Sequence, residues 1–175
     1  VNELDKYNVG IASLQEIGWR GTDTMQLVRP ICLVLALRSR KSSKTAVIAY
    51  RARNERLCTL HLKTRMFNVT LICMHAPTRE AEDEEKESFY NDLEAACDEA
   101  PRHDVKIILG DMNAKAGREP VYRLTIGKES LHEETNDNGF RLIRFAMSKG
   151  MTISSTWFPH KCIHKATWRS MELHR

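Results

Sequence analysis

Side chains that could do chemistry stand where short apolar runs of the sequence end. They are Glu16, His75, Asp111, Asn113, Thr167 and Trp168. Side chains at strand ends can converge on one crevice of a layered sheet from distant positions in the chain. The carboxylates would suit Mg²⁺ or Mn²⁺, and an Asn two residues after an Asp could reach a phosphate oxygen from the same side. The residue types therefore indicate metal-assisted chemistry on a phosphate ester.

Each of these residues also has a purely structural interpretation. Glu16 could be an ordinary surface residue, and the run Gly110-Asp111-Met112-Asn113 could be a turn, because Gly, Asp and Asn all favour turns. His75 could simply end a strand, and Trp168 could be a core residue. The functional interpretation therefore depends on all of them occurring together and in this order.

A separate group of possible metal ligands lies near the end of the sequence. His160, Cys162 and His164 alternate, so a strand would place all three on one face. Three neighbours on a single strand rarely surround a metal, and structural zinc sites have different spacings. We therefore weigh zinc as an alternative and do not adopt it.

The elements that must position these residues are predicted from periodicity and turn signals. Apolar runs rich in β-branched residues predict strands at residues 9–14, 31–37, 45–50, 56–62, 67–74, 105–109, 152–156 and 165–168. Residues 1–7 read as the end of a helix, and helical spacing predicts a helix over residues 83–100, with Phe89 and Tyr90 in the core. A second helix follows Asn138, its predicted N-cap, and stops near Gly150. This pattern indicates an α/β or α+β fold with sheets covered by helices.

Length and composition exclude several classes of protein. The chain has 175 residues, 42% of them hydrophobic and 29% charged, which fits one folded domain. The longest apolar run, residues 31–37, is too short to cross a bilayer, and the polar start shows no secretory signal. Five cysteines form no CxxC pair, which favours a reducing compartment, nucleus or cytoplasm, over secretion.

Charge is segregated along the sequence. Residues 36–65 contain nine Lys or Arg and one Glu, and residues 139–175 contain seven Lys or Arg and one Glu. Residues 80–104 contain eleven Asp or Glu, which we interpret as the solvated face of an amphipathic helix. The two basic segments favour a polyanionic partner, although solvated faces would give the same composition.

Four ordered motifs resemble a known superfamily. Leu14-Gln15-Glu16, His75-Ala76-Pro77-Thr78, Ile108-Leu109-Gly110-Asp111-Met112-Asn113 and Ala166-Thr167-Trp168 occur in that order. The set resembles the endonuclease/exonuclease/phosphatase superfamily and, within it, the endonuclease domain of LINE-type non-LTR retrotransposons. Phe89-Tyr90, Thr135-Asn136-Asp137-Asn138-Gly139 and Phe158-Pro159-His160-Lys161 resemble the retrotransposon-derived subgroup called craniofacial development protein 2-like.

The resemblance implies a four-layer αββα sandwich that cuts DNA phosphodiesters with Mg²⁺ or Mn²⁺. By position, Glu16 would be a metal ligand and Asp111 would orient or deprotonate the attacking water. Asn113 would bind the scissile phosphate. His75, where many members have Tyr, would donate to a phosphate oxygen.

The resemblance also implies the surroundings of the site and its partners. Thr167 and Trp168 would line the floor beside it. DNA would be the partner, with no membrane and no small-molecule cofactor, and we expect a monomer.

The chain departs from the family pattern at several points. We expect residues 1–170 to form a partial domain and residues 171–175 a divergent tail. The first strand with its Asn, the C-terminal strands and the late Asp–His pair have no match, and residues 29–43 diverge from the usual Gly-rich hairpin. Such groups act as a unit, so we expect impaired catalysis. The alternatives are a non-catalytic remnant that binds nucleic acid through its basic segments and a hydrolase of small phosphoesters.

Overall fold

A computed structural model describes the backbone of residues 11–15 and 33–37 and the whole of residues 46–159. Its strands are β1 Ile11–Gln15, β2 Leu33–Leu37, β3 Ala46–Asn54, β4 Leu57–Lys63, β5 Val69–His75 and β6 Val105–Asp111. Its helices are α1 Asp83–Glu99 and α2 Asp137–Ser148, with 3₁₀ turns at Pro120–Tyr122 and Ser154–Thr156. The chain divides after Met112 into two compact units.

The first unit contains a four-stranded mixed sheet in the order β3-β4-β5-β6. β3, β4 and β5 pair antiparallel, whereas β6 runs parallel to β5. A parallel neighbour requires a crossover connection, and α1 provides it. β1 and β2 form an antiparallel pair that approaches β6 and β5, which gives the mixed α/β class predicted from the sequence.

One face of this sheet carries an apolar cluster. Leu60, Leu62 and Leu71 are almost completely buried and pack with Tyr50 and Leu109. The period-two alternation of β4 predicts this arrangement, because alternate side chains of a strand point to the same face. β3 extends to Asn54, beyond its predicted end at residue 50, and adds pairing length to the same sheet.

Helix α1 closely matches its predicted bounds. Acidic residues fill its first turn, where the helix dipole favours negative charge, and the helix ends just before Pro101, which cannot continue it. Phe89, Leu93 and Cys97 recur at helical spacing and are buried. The apolar stripe of α1 therefore faces the interior, as the sequence indicates.

The polar side of α1 differs from the expected solvated face. Its Glu99 lies 2.7 Å from Arg51 and 2.9 Å from Arg53, both on β3. Arg56 lies 2.8 Å from Glu85. Part of the acidic segment therefore neutralises part of the first basic segment, which the one-dimensional charge pattern does not reveal.

In the second unit, α2 begins two residues earlier than predicted. Asn136 is its N-cap, and the Asn136 side chain accepts a hydrogen bond from the Gly139 amide at 2.8 Å. Asn138, the predicted cap, is a buried residue of the first turn. The prediction of the cap was wrong because several residues of the Thr135–Gly139 sequence favour caps, and tertiary contacts select among them.

Residues 152–156 do not form the predicted strand. Ile153 makes a single parallel bridge to Ile126, and a 3₁₀ turn then begins at Ser154. The Thr156 hydroxyl accepts a hydrogen bond from the Gly127 amide at 2.7 Å, so this segment serves to close a loop onto residues 126–127.

None of the helices in the described ranges is long and apolar enough to span a membrane.

Candidate functional site

The carboxyl ends of β5 and β6 bring His75 and Asp111 side by side. The two residues are register partners in the parallel pair, and register partners on neighbouring strands project to the same face. The His75 side chain is buried, whereas Asp111 is exposed. The arrangement presents an accessible carboxylate beside a shielded imidazole.

The chain leaving β5 is fixed to its neighbours at this point. The His75 amide donates to the Arg56 carbonyl, and the Ala76 amide donates to the Asp111 carbonyl, both at 2.9 Å. Gly110, just before Asp111, has a φ of 142°, a value that residues with a Cβ rarely adopt. The backbone around both functional side chains is therefore tightly specified.

A buried lysine fastens the loop that follows His75. Lys86 of α1 is only 6% exposed, and its Nζ donates to the Arg79 carbonyl at 2.9 Å and lies 3.7 Å from Asp83. A buried ammonium requires such partners, because its desolvation is costly. The sequence did not single out Lys86, because a lysine among acidic residues is typical of a solvated helix face.

Asn113 begins the second unit in an unusual backbone conformation. Its φ is 45°, in the left-handed region that Asn tolerates better than most residues. Its carbonyl accepts a hydrogen bond at 2.9 Å from the side-chain amide of Asn138. The loop carrying Asn113 is thus connected to the first turn of α2.

The rest of this loop is secured by a polar network. Thr135 donates to Glu119 through both its amide, at 2.7 Å, and its hydroxyl, at 2.8 Å, and the same hydroxyl accepts from the Gly117 amide. Burial raises the pKa of the Glu119 carboxyl, but the hydrogen bonds from the Thr135 hydroxyl and from the backbone amides of Glu119 and Thr135 outweigh it, so the net pKa is lowered. Burial, together with the nearby Lys115 ammonium, lowers the pKa of His132. The lowered pKa of Glu119 keeps its carboxylate ionised, so that it can accept both hydrogen bonds from Thr135.

No protein-family model matches the chain. Over 180 residues, the chain is 31% identical to "Craniofacial development protein 2" of Tragulus javanicus and 29% identical to the Bos taurus protein of that name. These alignments cover 96% of the chain but only 31% and 30% of the relatives, so the chain spans about a third of their length.

One solved structure has a similar fold. The structure titled "Endonuclease domain of TRAS1, a telomere-specific non-LTR retrotransposon" superposes with a TM-score of 0.53 at 17% identity. The match covers 84% of the chain and 63% of that domain. The chain therefore has the fold of an endonuclease/exonuclease/phosphatase-type domain.

Within this domain, the predicted site residues fall into two groups. His75 and Asp111 lie together at the carboxyl ends of parallel strands, and Asn113 follows in the next loop. Glu16, Thr167 and Trp168 lie outside the described residues, as do His160, Cys162 and His164. The predicted convergence of Glu16 with Asp111 stays a prediction.

The donor chemistry of the domain fits a hard divalent cation in part. Asp111 is an exposed carboxylate at a strand end, the type of oxygen ligand that Mg²⁺ uses. Within residues 46–159, no three His, Cys, Asp or Glu side chains cluster as a metal site would require. β1 ends at Gln15 and approaches β6. Glu16, the metal ligand that the sequence predicts, follows outside the described residues.

The opposite end of the sheet contains a second Asp–His pair that the sequence did not single out. Asp104 precedes β6, and its carboxylate accepts from the Thr70 hydroxyl at 2.7 Å and lies 2.8 Å from His61 Nε2. The Asp104 side chain is 4% exposed. Thr70 and His61 are register partners on β5 and β4, so the Asp104 carboxylate contacts both side chains at once.

Proposed function

We propose that this domain is a divalent-metal-dependent DNA endonuclease that hydrolyses phosphodiester bonds. The observation that supports this most directly is the pairing of His75 with Asp111 at the carboxyl ends of β5 and β6. It occurs in a fold shared with an endonuclease domain. Ligands of α/β sheets bind outside the carboxyl ends of strands, which favours this end of the sheet as the site.

The residues divide the chemistry among them. Asp111 is accessible to water and would orient it or accept its proton as it attacks phosphorus. His75 would donate to a phosphate oxygen, and Asn113 would hold the scissile phosphate through its amide. Both donations would stabilise the charge that grows on the phosphate oxygens in the transition state.

Glu16 would hold Mg²⁺ or Mn²⁺, with Thr167 and Trp168 lining the floor of the site. When bound, such a cation supplies Lewis-acid stabilisation of phosphate charge.

DNA is the substrate proposed from the resemblance and from the basic segments. The ion pairs of Arg51, Arg53 and Arg56 reduce the charge available from the first segment. We therefore expect weak, sequence-independent binding with a dissociation constant of about 10⁻⁴ to 10⁻⁶ M at physiological salt, falling as salt rises. Binding without cleavage is the behaviour expected of the alternative, a non-catalytic remnant.

Catalysis by the 175-residue polypeptide on its own is expected to be impaired. No residue in it matches the late Asp–His pair of the family, and losing one member of such a unit commonly costs about three to six powers of ten in rate. The decisive experiment therefore uses the polypeptide extended on both sides with the flanking segments of the bovine relative. Supercoiled plasmid, Mg²⁺ and a chelator control give the readout.

The extended protein should nick plasmid in Mg²⁺ and not with the chelator. Asp111→Asn should lower the rate at least about 1,000-fold, because an amide cannot take a proton from water. Asp104→Asn, at the other end of the sheet, is the matched control and should retain the activity. No nicking by the folded extended protein, or nicking unchanged by Asp111→Asn, would overturn the proposal, and salt-sensitive DNA binding alone would favour the remnant.

A further inference from the structure

We propose that Asn136 and Asn138 are positioning residues for Asn113. This inference rests on the proposed function, since it assigns the orientation of the phosphate-binding amide to the first turn of α2. Neither side chain need touch the substrate. Each acts through the backbone of residues 113–115.

Asn138 fixes the carbonyl of Asn113. Its side chain is 4% exposed, and its Nδ2 donates to the Asn113 oxygen at 2.9 Å. Asn is a poor helix former compared with Ala or Leu, so its presence in the first turn of α2 is explained by this tertiary bond. The bond requires a donor at position 138.

Asn136 holds residue 115 in place as a hydrogen-bond acceptor. Its Oδ1 accepts from the Lys115 amide at 3.0 Å as well as from the Gly139 amide at 2.8 Å. Its own amide donates to the Lys115 carbonyl at 3.1 Å. The bonds of the Asn136 side chain therefore require an acceptor.

Gly139 allows this close approach. A Cβ built on Gly139 would overlap the Lys115 carbonyl oxygen. The loop and the first turn of α2 are thus in backbone contact, with Asn113 at one end of the contact and Lys115 at the other. Because Asn113 has a left-handed φ of 45°, loss of these bonds would let its backbone relax and its side chain turn away.

The two asparagines respond oppositely to the same substitution. Asp at position 136 keeps the acceptor, and Asp is among the best N-cap residues. Asp at position 138 removes the donor and places a carboxylate against the Asn113 carbonyl. Helix dipole interactions nevertheless favour Asp in the first turn, so the helix itself should not be weakened by either change.

The test measures kcat and KM for plasmid nicking by the extended protein. Asn138→Asp should lower kcat about 10- to 100-fold, the range expected for a misplaced catalytic group, with KM nearly unchanged and the protein still folded at the assay temperature. Asn136→Asp should retain kcat. Thr156→Val, which removes a buried hydroxyl that bonds the Gly127 amide, is the matched control and should also retain kcat.

A second readout does not depend on activity. In the 175-residue polypeptide, amide hydrogen exchange at Lys115 should accelerate about tenfold in Asn138→Asp and stay unchanged in Asn136→Asp and Thr156→Val, while Gly139 stays protected in all three. If the extended protein does not nick, the proposed function fails, and this readout alone decides whether Asn138 fixes the loop. Unchanged Lys115 exchange in Asn138→Asp would overturn the inference, as would equal loss of kcat in both asparagine variants.

Discussion

The two ends of the β3–β6 sheet each contain an aspartate and a histidine, and they use them differently. At the amino end of β6, Asp104 is nearly inaccessible and contacts His61 and Thr70. At the carboxyl end, Asp111 is exposed while its register partner His75 is buried. The same residue types therefore give a closed cluster at one end and a reachable carboxylate at the other.

This difference separates a structural pair from a candidate catalytic one. A buried carboxylate with two partners stabilises the fold, because its removal leaves a buried hydroxyl without a hydrogen-bond acceptor. An exposed carboxylate at a strand end contributes little to stability and can meet a water molecule and a phosphate. Residue type alone does not distinguish the two roles, whereas burial and strand direction do.

The largest expected effect on stability comes from Asp104→Ala, which is compared with Asp111→Ala at the other end of the sheet. Asp104→Ala should lower the free energy of unfolding by about 2–3 kcal/mol, because it leaves the buried Thr70 hydroxyl without its acceptor and removes the carboxylate that lies 2.8 Å from His61 Nε2. Asp111→Ala should change it by less than about 0.5 kcal/mol, as is usual for exposed positions. Urea denaturation of the 175-residue polypeptide measures both.

Thr70→Val provides the matched control for this comparison. It removes one hydrogen bond to Asp104 and keeps the shape of the side chain, so a cost of about 1 kcal/mol is expected. A larger cost for Asp111→Ala than for Asp104→Ala would reverse the roles assigned to the two ends.

A smaller expected effect is on the pH dependence of the free energy of unfolding. It comes from Glu99, which belongs to neither of the two Asp–His pairs, and so it separates their contributions from other ion pairs. The hydrogen bond from Arg53 lowers the pKa of the Glu99 carboxyl, and the Arg51 guanidinium contributes as well. A lowered folded-state pKa stabilises the fold above the unfolded pKa of about 4.3 and loses that contribution as pH falls through the folded value. Glu99→Gln should therefore make stability slightly less sensitive to pH between about 5 and 3.

Urea midpoints at several pH values at low salt would show this effect. The exposed ion pair should weaken further in high salt, since screening is strong at the surface. An unchanged pH profile in Glu99→Gln would contradict the contribution assigned to the Glu99 carboxylate.

Local patterns predicted most of the elements. The alternation over Leu57–Lys63 and the apolar spacing of Phe89, Leu93 and Cys97 each identify a face, because burial repeats with the period of the strand or helix. The strand-end positions of His75 and Asp111 were also predictable, since both follow apolar runs. Their adjacency was an inference from family resemblance and strand-end topology, and it depends on the parallel pairing of β5 with β6.

Long-range partners could not be predicted in the same way. The N-cap of α2 is Asn136 because it also accepts from Lys115, a contact between residues far apart in the sequence. The contacts of Arg51 and Arg53 with Glu99 are equally distant in sequence. Blocks of charge on a sequence therefore say little about which charges remain available to a nucleic acid.

The central claim, that the carboxyl end of the sheet is the metal-dependent site, is tested most directly by mapping Mn²⁺ binding. Titrating the ¹⁵N-labelled 175-residue polypeptide with Mn²⁺ broadens the amide signals nearest the ion. We predict selective broadening at His75, Ala76 and Asp111. The amides of Thr70 and Asp104 should broaden far less, because Thr70 lies about 17 Å along β5 from His75. Glu16→Ala, at the residue proposed to hold the cation, should abolish the broadening. Broadening centred on Asp104 and His61, or equal broadening at both ends, would contradict the assignment.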